Sequence, residues 1–308
     1  MATLKNTTVS GTGAATLPRG TYAQRPSAAN GMMRFNSNTG TSEIYTAANT
    51  SSSTWAAIQG HDIVKQNLLL WYDFGDLTSY SQGGSTTVRN LVRGNYNGSI
   101  SNTAPSYSGA NQGFIALNGI NDIVSTALSI NTTPALQPWS YEVWTQITSW
   151  PTAVSPANQY GSTTRSGVLL GATYYAGAAL YWYGSATGDA STMYAFLRGN
   201  DAYRVTSGYT MALNTWYQFV MVNDYPNAIR LYVNGSEYAN TGCATQDYNS
   251  SLVTGLTIGL GLAQVDGGGT QNYSNYPGRI SSAKIYNAAL SASQVFQNFT
   301  AERHRFGV

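Results

Sequence analysis

Charge is the scarcest commodity in this 308-residue chain. Asp, Glu, Lys and Arg make up only 9% of it, against about 25% in ordinary soluble domains. A surface kept soluble by dense charge is therefore excluded. Gly, Ser, Thr, Asn and Tyr fill the gap, so hydroxyls and amides do that work. The 15 Lys and Arg are scattered and the net charge is +2. No basic stripe exists for a phosphate backbone to follow, which argues against nucleic acid as a partner. Cysteine is nearly absent: Cys243 stands alone, which excludes an internal disulfide and points to folding in a reducing compartment. Long apolar runs are missing too. The longest, Gly255 to Val265, is too short and too rich in glycine for a span of about 20 residues, so membrane insertion is not expected. The opening Met1-Ala-Thr-Leu-Lys-Asn-Thr7 lacks the apolar segment of a secretory signal.

What the chain does contain is a succession of short β segments separated by Gly, Pro and Asn turns. Gly31 to Asn36 and Thr41 to Tyr45 read as a hairpin, and Trp55 to Ile58 as a third strand. A lone hairpin is marginal in water, so residues 1–60 are expected to need a packing partner. From Asn67 onward, strands are predicted at Leu68–Tyr72, Gly113–Leu117, Trp139–Ile147, Trp216–Val222, Ile229–Val233, Leu256–Leu260 and Ile280–Tyr286. Asn234-Gly235 is a strong hairpin signal. In Trp139–Ile147, alternation puts Tyr141, Val143 and Thr145 on one face and Ser140, Glu142, Trp144 and Gln146 on the other. One helix is predicted at Ala292–Phe299. Ser291 is its N-cap, Gln294 the capping-box partner, and Val295, Phe296 and Phe299 form the apolar stripe. The pattern predicts an all-β sandwich or jelly roll with one short C-terminal helix. The expected organisation is an N-terminal module at 1–60, a main domain at 61–299 and a tail at 300–308.

Several of these segments resemble a known family. Leu70-Trp-Tyr-Asp-Phe-Gly-Asp76, Asn90 to Gly98, Phe114 to Asp122, Ser140 to Trp144, Leu231 to Gly235 and Gly278 to Ser291 resemble, in order, the motifs of concanavalin A-like, laminin-G-type jelly rolls found in phage proteins. The resemblance covers residues 63–299. Leu17 to Pro26, Gly31 to Asn36, Thr39-Gly40, Glu43 and Trp55 are similar to a short module of phage fibre proteins, and Asn298 to Gly307 to the tails of cyanophage structural proteins. The resemblance implies a virion component made in a host cytoplasm and released by lysis. Its first reading is a fibre or adhesin whose lectin-like domain binds host surface polysaccharide. In that reading the N-terminal module joins other virion proteins and the protein is a homotrimer. The alternative is a decoration protein of the capsid or neck, since the chain carries no heptads or long shaft.

The same family includes jelly-roll glucanases, whose paired strand carboxylates set a test. Retaining hydrolysis needs two carboxyls about 5–5.5 Å apart. Only Glu43, Glu142, Glu237 and Glu302 are glutamates, and none has an acidic neighbour at i+2 or i+4. His61 and His304 lie at opposite ends of the chain, without zinc spacing. A Gly-x-Ser-x-Gly elbow and a phosphate loop are both missing. A catalytic site is therefore not expected.

Binding residues are sought elsewhere. Calcium needs six to eight oxygens, and some laminin-G-type domains use it. Asp73 with Asp76, and Asn121 with Asp122, have the right chemistry; their other role is to brace turns through side chain-to-backbone bonds. No other cofactor is implied. Aromatic residues are the stronger lead, with 23 tyrosines in the chain. Tyrosine offers a broad rigid face with a polar tip, suited to the C–H faces of sugars. In the run Tyr174, Tyr175, Tyr181, Trp182 and Tyr183, strand alternation puts Tyr181 and Tyr183 on one face and Trp182 on the other. Tyr160, Tyr203, Tyr273 and Tyr276 are expected in loops as further glycan-binding candidates, or as contacts to a neighbouring virion protein.

Overall fold

The structure is a computed structural model. It describes residues 17–25, 32–37, 41–47, 53–57, 63–81, 85–92, 96–100, 105–119, 122–130, 137–149, 165–172, 178–184, 191–198, 203–243, 256–263 and 276–308. The chain divides into two compact units near residue 62. The first is a four-stranded sheet in the order β1 (Arg19–Gly20), β2 (Met33–Asn36), β3 (Thr41–Ala47) and β4 (Ser53–Ala57). The predicted hairpin is β2–β3, with Met33 opposite Ile44 and Asn36 opposite Thr41. β1 joins it in parallel, and the buried Arg34 donates from Nη2 to the Thr21 carbonyl at 3.0 Å.

The second unit is a sandwich of two antiparallel sheets. Its strands, in chain order, are β5 (Leu68–Asp73), β6 (Thr87–Val88), β7 (Gly98–Ile100), β8 (Ser106–Ser108), β9 (Phe114–Asn118), β10 (Val124–Ile130) and β11 (Trp139–Ile147). They continue as β12 (Arg165–Ala172), β13 (Ala178–Gly184), β14 (Ser191–Arg198), β15 (Tyr203–Val205), β16 (Tyr209–Met211) and β17 (Trp216–Asp224). The last are β18 (Ala228–Val233), β19 (Ser236–Gly242), β20 (Leu256–Ala263) and β21 (Pro277–Tyr286). The eight-stranded sheet runs β19-β18-β17-β11-β21-β9-β8, with β5 also pairing β21. The nine-stranded sheet runs β15-β14-β13-β12-β20-β10-β7-β6, with β16 also pairing β14. Between them lies one core, to which Tyr72, Tyr141, Val143, Phe219 and Leu231 contribute from one sheet and Leu170, Leu180, Trp182, Met193 and Leu197 from the other.

Local chemistry explains the turns. Asn234 and Gly235 both take positive φ, 48° and 79°, as a two-residue hairpin between β18 and β19 requires. A Cβ at Gly235 would lie 2.9 Å from the Phe299 ring, so this turn also needs glycine to admit the helix packed beside it.

That helix, α1 (Ala292–Glu302), starts where the sequence indicates. Gln294 N–H donates to Ser291 Oγ and Ser291 N–H to Gln294 Oε1. Val295 and Phe299 are buried as expected, but Phe296 is 55% exposed. Asn298 and Glu302 are buried instead, because the helix lies over polar groups on the outer face of the eight-stranded sheet. The segment after it is no free tail: the Phe306 ring stacks 4.2 Å from Trp144 and sits 4.7 Å from Trp216.

Under α1, charge is concentrated in a chain that has little of it. Lys284, fully buried, donates to Glu142 at 3.0 Å and to Glu302. Glu142 also accepts from Gln218 at 3.0 Å and from Asn298 at 2.6 Å. Arg305 makes a bidentate pair with Asp73 at 2.8 and 2.9 Å. Burial works against the Lys284 ammonium, but Glu142 and Glu302 outweigh it and hold its pKa above the usual lysine value. Burial likewise raises Glu302, against the pull of Lys284. Every residue of β11 is therefore buried: one face in the sandwich core, the other beneath the helix.

Candidate functional site

The outer face of the nine-stranded sheet is built differently. In β13, Leu180 and Trp182 are fully buried while Tyr181 is partly exposed, the alternation predicted for this run. In β14, Met193, Ala195 and Leu197 are fully buried, and Thr192, Tyr194 and Phe196 are partly exposed. Tyr181 pairs directly with Tyr194. Phe196 is its diagonal neighbour, within aromatic reach across two strands, and the Tyr181 and Phe196 centroids are 5.4 Å apart at 32°. The three rings form a partly exposed strip on two paired strands.

The strip is supported from the side. At the sheet edge, β15 pairs with residues 196–198 of β14 and β16 with residues 191–193. Between them Thr206 closes the gap: its N–H donates to the Ala195 carbonyl and its Oγ1 accepts from Ala195 N–H, both at 3.1 Å. Gly208 then lies against Thr192 and Tyr194, where a Cβ would come within 2.4 Å of the tyrosine ring. Only glycine allows this approach, which braces one edge of Tyr194.

The candidates taken from the sequence fall into distinct places. Tyr181 and Tyr183 on β13 and Tyr203 on β15 lie on the two strands that flank β14: Tyr183 pairs with Thr192 of β14, and Tyr203 with Arg198. Tyr276 is a correction. It is fully buried, 3.0 Å from Thr145 Oγ1 and edge-on to Trp182 at 6.0 Å, so it is a core residue and cannot meet a sugar. Tyr160 and Tyr273 lie outside the described residues. Tyr194 and Phe196 are not among the sequence candidates, although Thr192-Met-Tyr-Ala-Phe-Leu197 alternates as clearly as Tyr181-Trp-Tyr183.

Three of the four calcium candidates fall among the described residues. Both oxygens of Asp73 are occupied by Arg305, a cation already in place. Asp76 braces its own turn, accepting from Thr78 N–H and Oγ1 at 2.7 Å. Asp122 Oδ2 accepts from Asn118 N–H at 2.9 Å, its own N–H donates to Asn118 Oδ1, and its Oδ1 is buried with no hydrogen-bond partner among the described residues. Asn121 lies outside them. The described residues contain no group of three or more Asp, Glu, His or Cys able to hold a metal. Of the glutamates, Glu142 and Glu302 are committed to Lys284, and Glu237 to Arg230 at 3.1 Å.

The fold recurs in solved structures at low identity. The binding domain of botulinum neurotoxin serotype G aligns with a TM-score of 0.52 and 14% identity, covering 76% of this chain and 50% of that one. The binding domain of Paraclostridial Mosquitocidal Protein 1 gives 0.52 and 13%, covering 76% and 52%. Trypanosoma rangeli sialidase in complex with sialic acid gives 0.50 and 12%, covering 84% and 36%. The chain thus spans about half the length of these toxin domains and about a third of the sialidase. At such identity the likeness is one of fold. A search of curated proteins finds no sequence match. Residues 118–296, more than half of the chain, match the family model described as the concanavalin A-like lectin/glucanases superfamily, and the protein belongs to that family.

Proposed function

We propose that this is a non-catalytic, lectin-type binding protein whose outer aromatic strip takes a glycan. The observation that carries the reading is the grouping of partly exposed Tyr181, Tyr194 and Phe196 on paired strands of one sheet. Rings of this kind cover the C–H faces of a sugar while the tyrosine hydroxyls bond its polar edge. Contiguous apolar surface on a folded domain commonly marks an interaction site. Membership of a lectin-type family supports the ligand class. So do the similar folds, two of them named as binding domains and one solved with sialic acid. Commitment of Glu142 and Glu302 to a buried ion cluster supports binding without hydrolysis.

In its biological setting the protein is an adhesin component of a phage particle. The fibre-like N-terminal segment and the charge-poor, Tyr-rich composition support this. The four-stranded N-terminal unit would join it to other virion proteins, as a homotrimer. A second reading is a decoration protein of the capsid or neck, favoured by the missing heptads and shaft; the same aromatic strip would then be a subunit contact. Immunogold labelling of intact particles separates the two. Label on the tail or fibres supports adhesion, label spread over the head supports decoration, and particles without label contradict both. The glycan itself is tested by screening the full-length protein against host surface polysaccharides, alongside Tyr181→Ala and Phe196→Ala. Equal binding by all three proteins would remove the strip from the account.

A further inference from the structure

A groove on the other sheet combines apolar and charged side chains. It lies between β18 and the start of α1, on the outer face of the eight-stranded sheet, and is an open groove of about 450 Å³. Val222, Tyr232, Ala289, Leu290 and Ala292 supply its apolar part; Asp224, Arg230, Glu237, Ser291 and Gln294 supply its polar part. Glu237 is held rigidly, accepting from Asn240 at 2.7 Å, from Arg230 at 3.1 and 3.2 Å and from Tyr232 at 3.2 Å. Burial disfavours its charge, but these donors outweigh it and hold the carboxyl below the usual range, so it is ionised.

Arg230 and Asp224 do not meet in the same way. Arg230 Nη2 and Asp224 Oδ2 are 4.0 Å apart, too far for a direct hydrogen bond and a separation that a bridging oxygen can fill. A hydroxyl can do both jobs at once, accepting from the guanidinium and donating to the carboxylate. A cation entering the gap would meet Arg230, and an anion would meet Asp224 and Glu237. We infer that this groove is a second binding site, for the vicinal hydroxyls of a neutral saccharide. It shares no residue with the aromatic strip and does not depend on that strip's function.

Saturation-transfer NMR on the full-length Tyr181→Ala protein tests it, with methyl α-mannoside, methyl α-glucoside and N-acetylglucosamine as neutral probes and N-acetylneuraminate and a diamine as charged ones. At least one neutral probe should bind. Adding Asp224→Asn or Arg230→Met should weaken it about tenfold or more, since a hydrogen bond to a charged group contributes about 1.5–3 kcal/mol. Both substitutions are at the surface, and an unchanged melting temperature shows that the fold is kept. No neutral probe binding to Tyr181→Ala, neutral binding indifferent to both substitutions, or preference for a charged probe would overturn the proposal. Loss of neutral binding on Tyr181→Ala alone would credit it all to the aromatic strip and equally overturn it.

Discussion

The two outer faces of this sandwich meet the same problem in opposite ways. Each carries aromatic rings on a sheet. On the eight-stranded sheet, Phe114, Trp144 and Trp216 are covered by Phe299 and Phe306 of the C-terminal segment, and the charges beneath the helix are paired. On the nine-stranded sheet, Tyr181, Tyr194 and Phe196 stay partly exposed. The comparison teaches that aromatic content alone does not mark a binding face. A ring is buried and supplies stability where the C-terminal segment covers it, whereas Tyr181, Tyr194 and Phe196 keep part of their surface exposed.

Substitutions can break or sharpen that contrast. The largest effect is expected on the covered face. Lys284→Met leaves Glu142 and Glu302 buried without their shared cation, which should cost about 3–5 kcal/mol in denaturant unfolding. Replacing all three by apolar residues should recover much of it, because the desolvation of the charges disappears with them. Next, Phe306→Ala should cost about 3 kcal/mol by opening a cavity over Trp144. Ser291→Ala removes the N-cap of α1 and should cost about 1 kcal/mol. None of these should alter glycan binding by the aromatic strip.

The smallest effect concerns acid. The folded state holds Glu237 below its ordinary value of 4.5, so its contribution is present above that value and is lost as pH falls through the lower folded pKa. Thermal melts of Glu237→Gln should therefore lose slightly less stability than wild type below pH 4.5. Glu302, raised by burial, acts with the opposite sign, so only the difference between the two proteins reports on Glu237.

Much of this architecture was legible in the sequence because its signals are local. Asn234-Gly235 predicts its hairpin, Ser291 and Gln294 their capping box, and the alternation of Trp139–Ile147 its strand. What stayed hidden depends on partners far along the chain. Lys284 stands 142 residues from Glu142 and 18 from Glu302, so nothing near it in sequence predicts its burial. Tyr276 reads as a loop residue, yet its partners Thr145 and Trp182 come from other strands. Periodicity divides a strand into two faces; it does not say which outer face the chain returns to cover. For the same reason Phe296, expected on the apolar stripe, is exposed, while Asn298 is buried.

The most direct test of the central claim measures binding and stability together on Tyr181→Ala. Aromatic pair contacts contribute about 0.5–1.5 kcal/mol beyond area burial, so the variant should remain folded. The account predicts that it loses affinity for the host polysaccharide that wild type binds, while Lys284→Met, wherever it is still folded, keeps that affinity. Undiminished binding by Tyr181→Ala, with loss confined to Lys284→Met, would contradict the account and move the functional surface to the covered face.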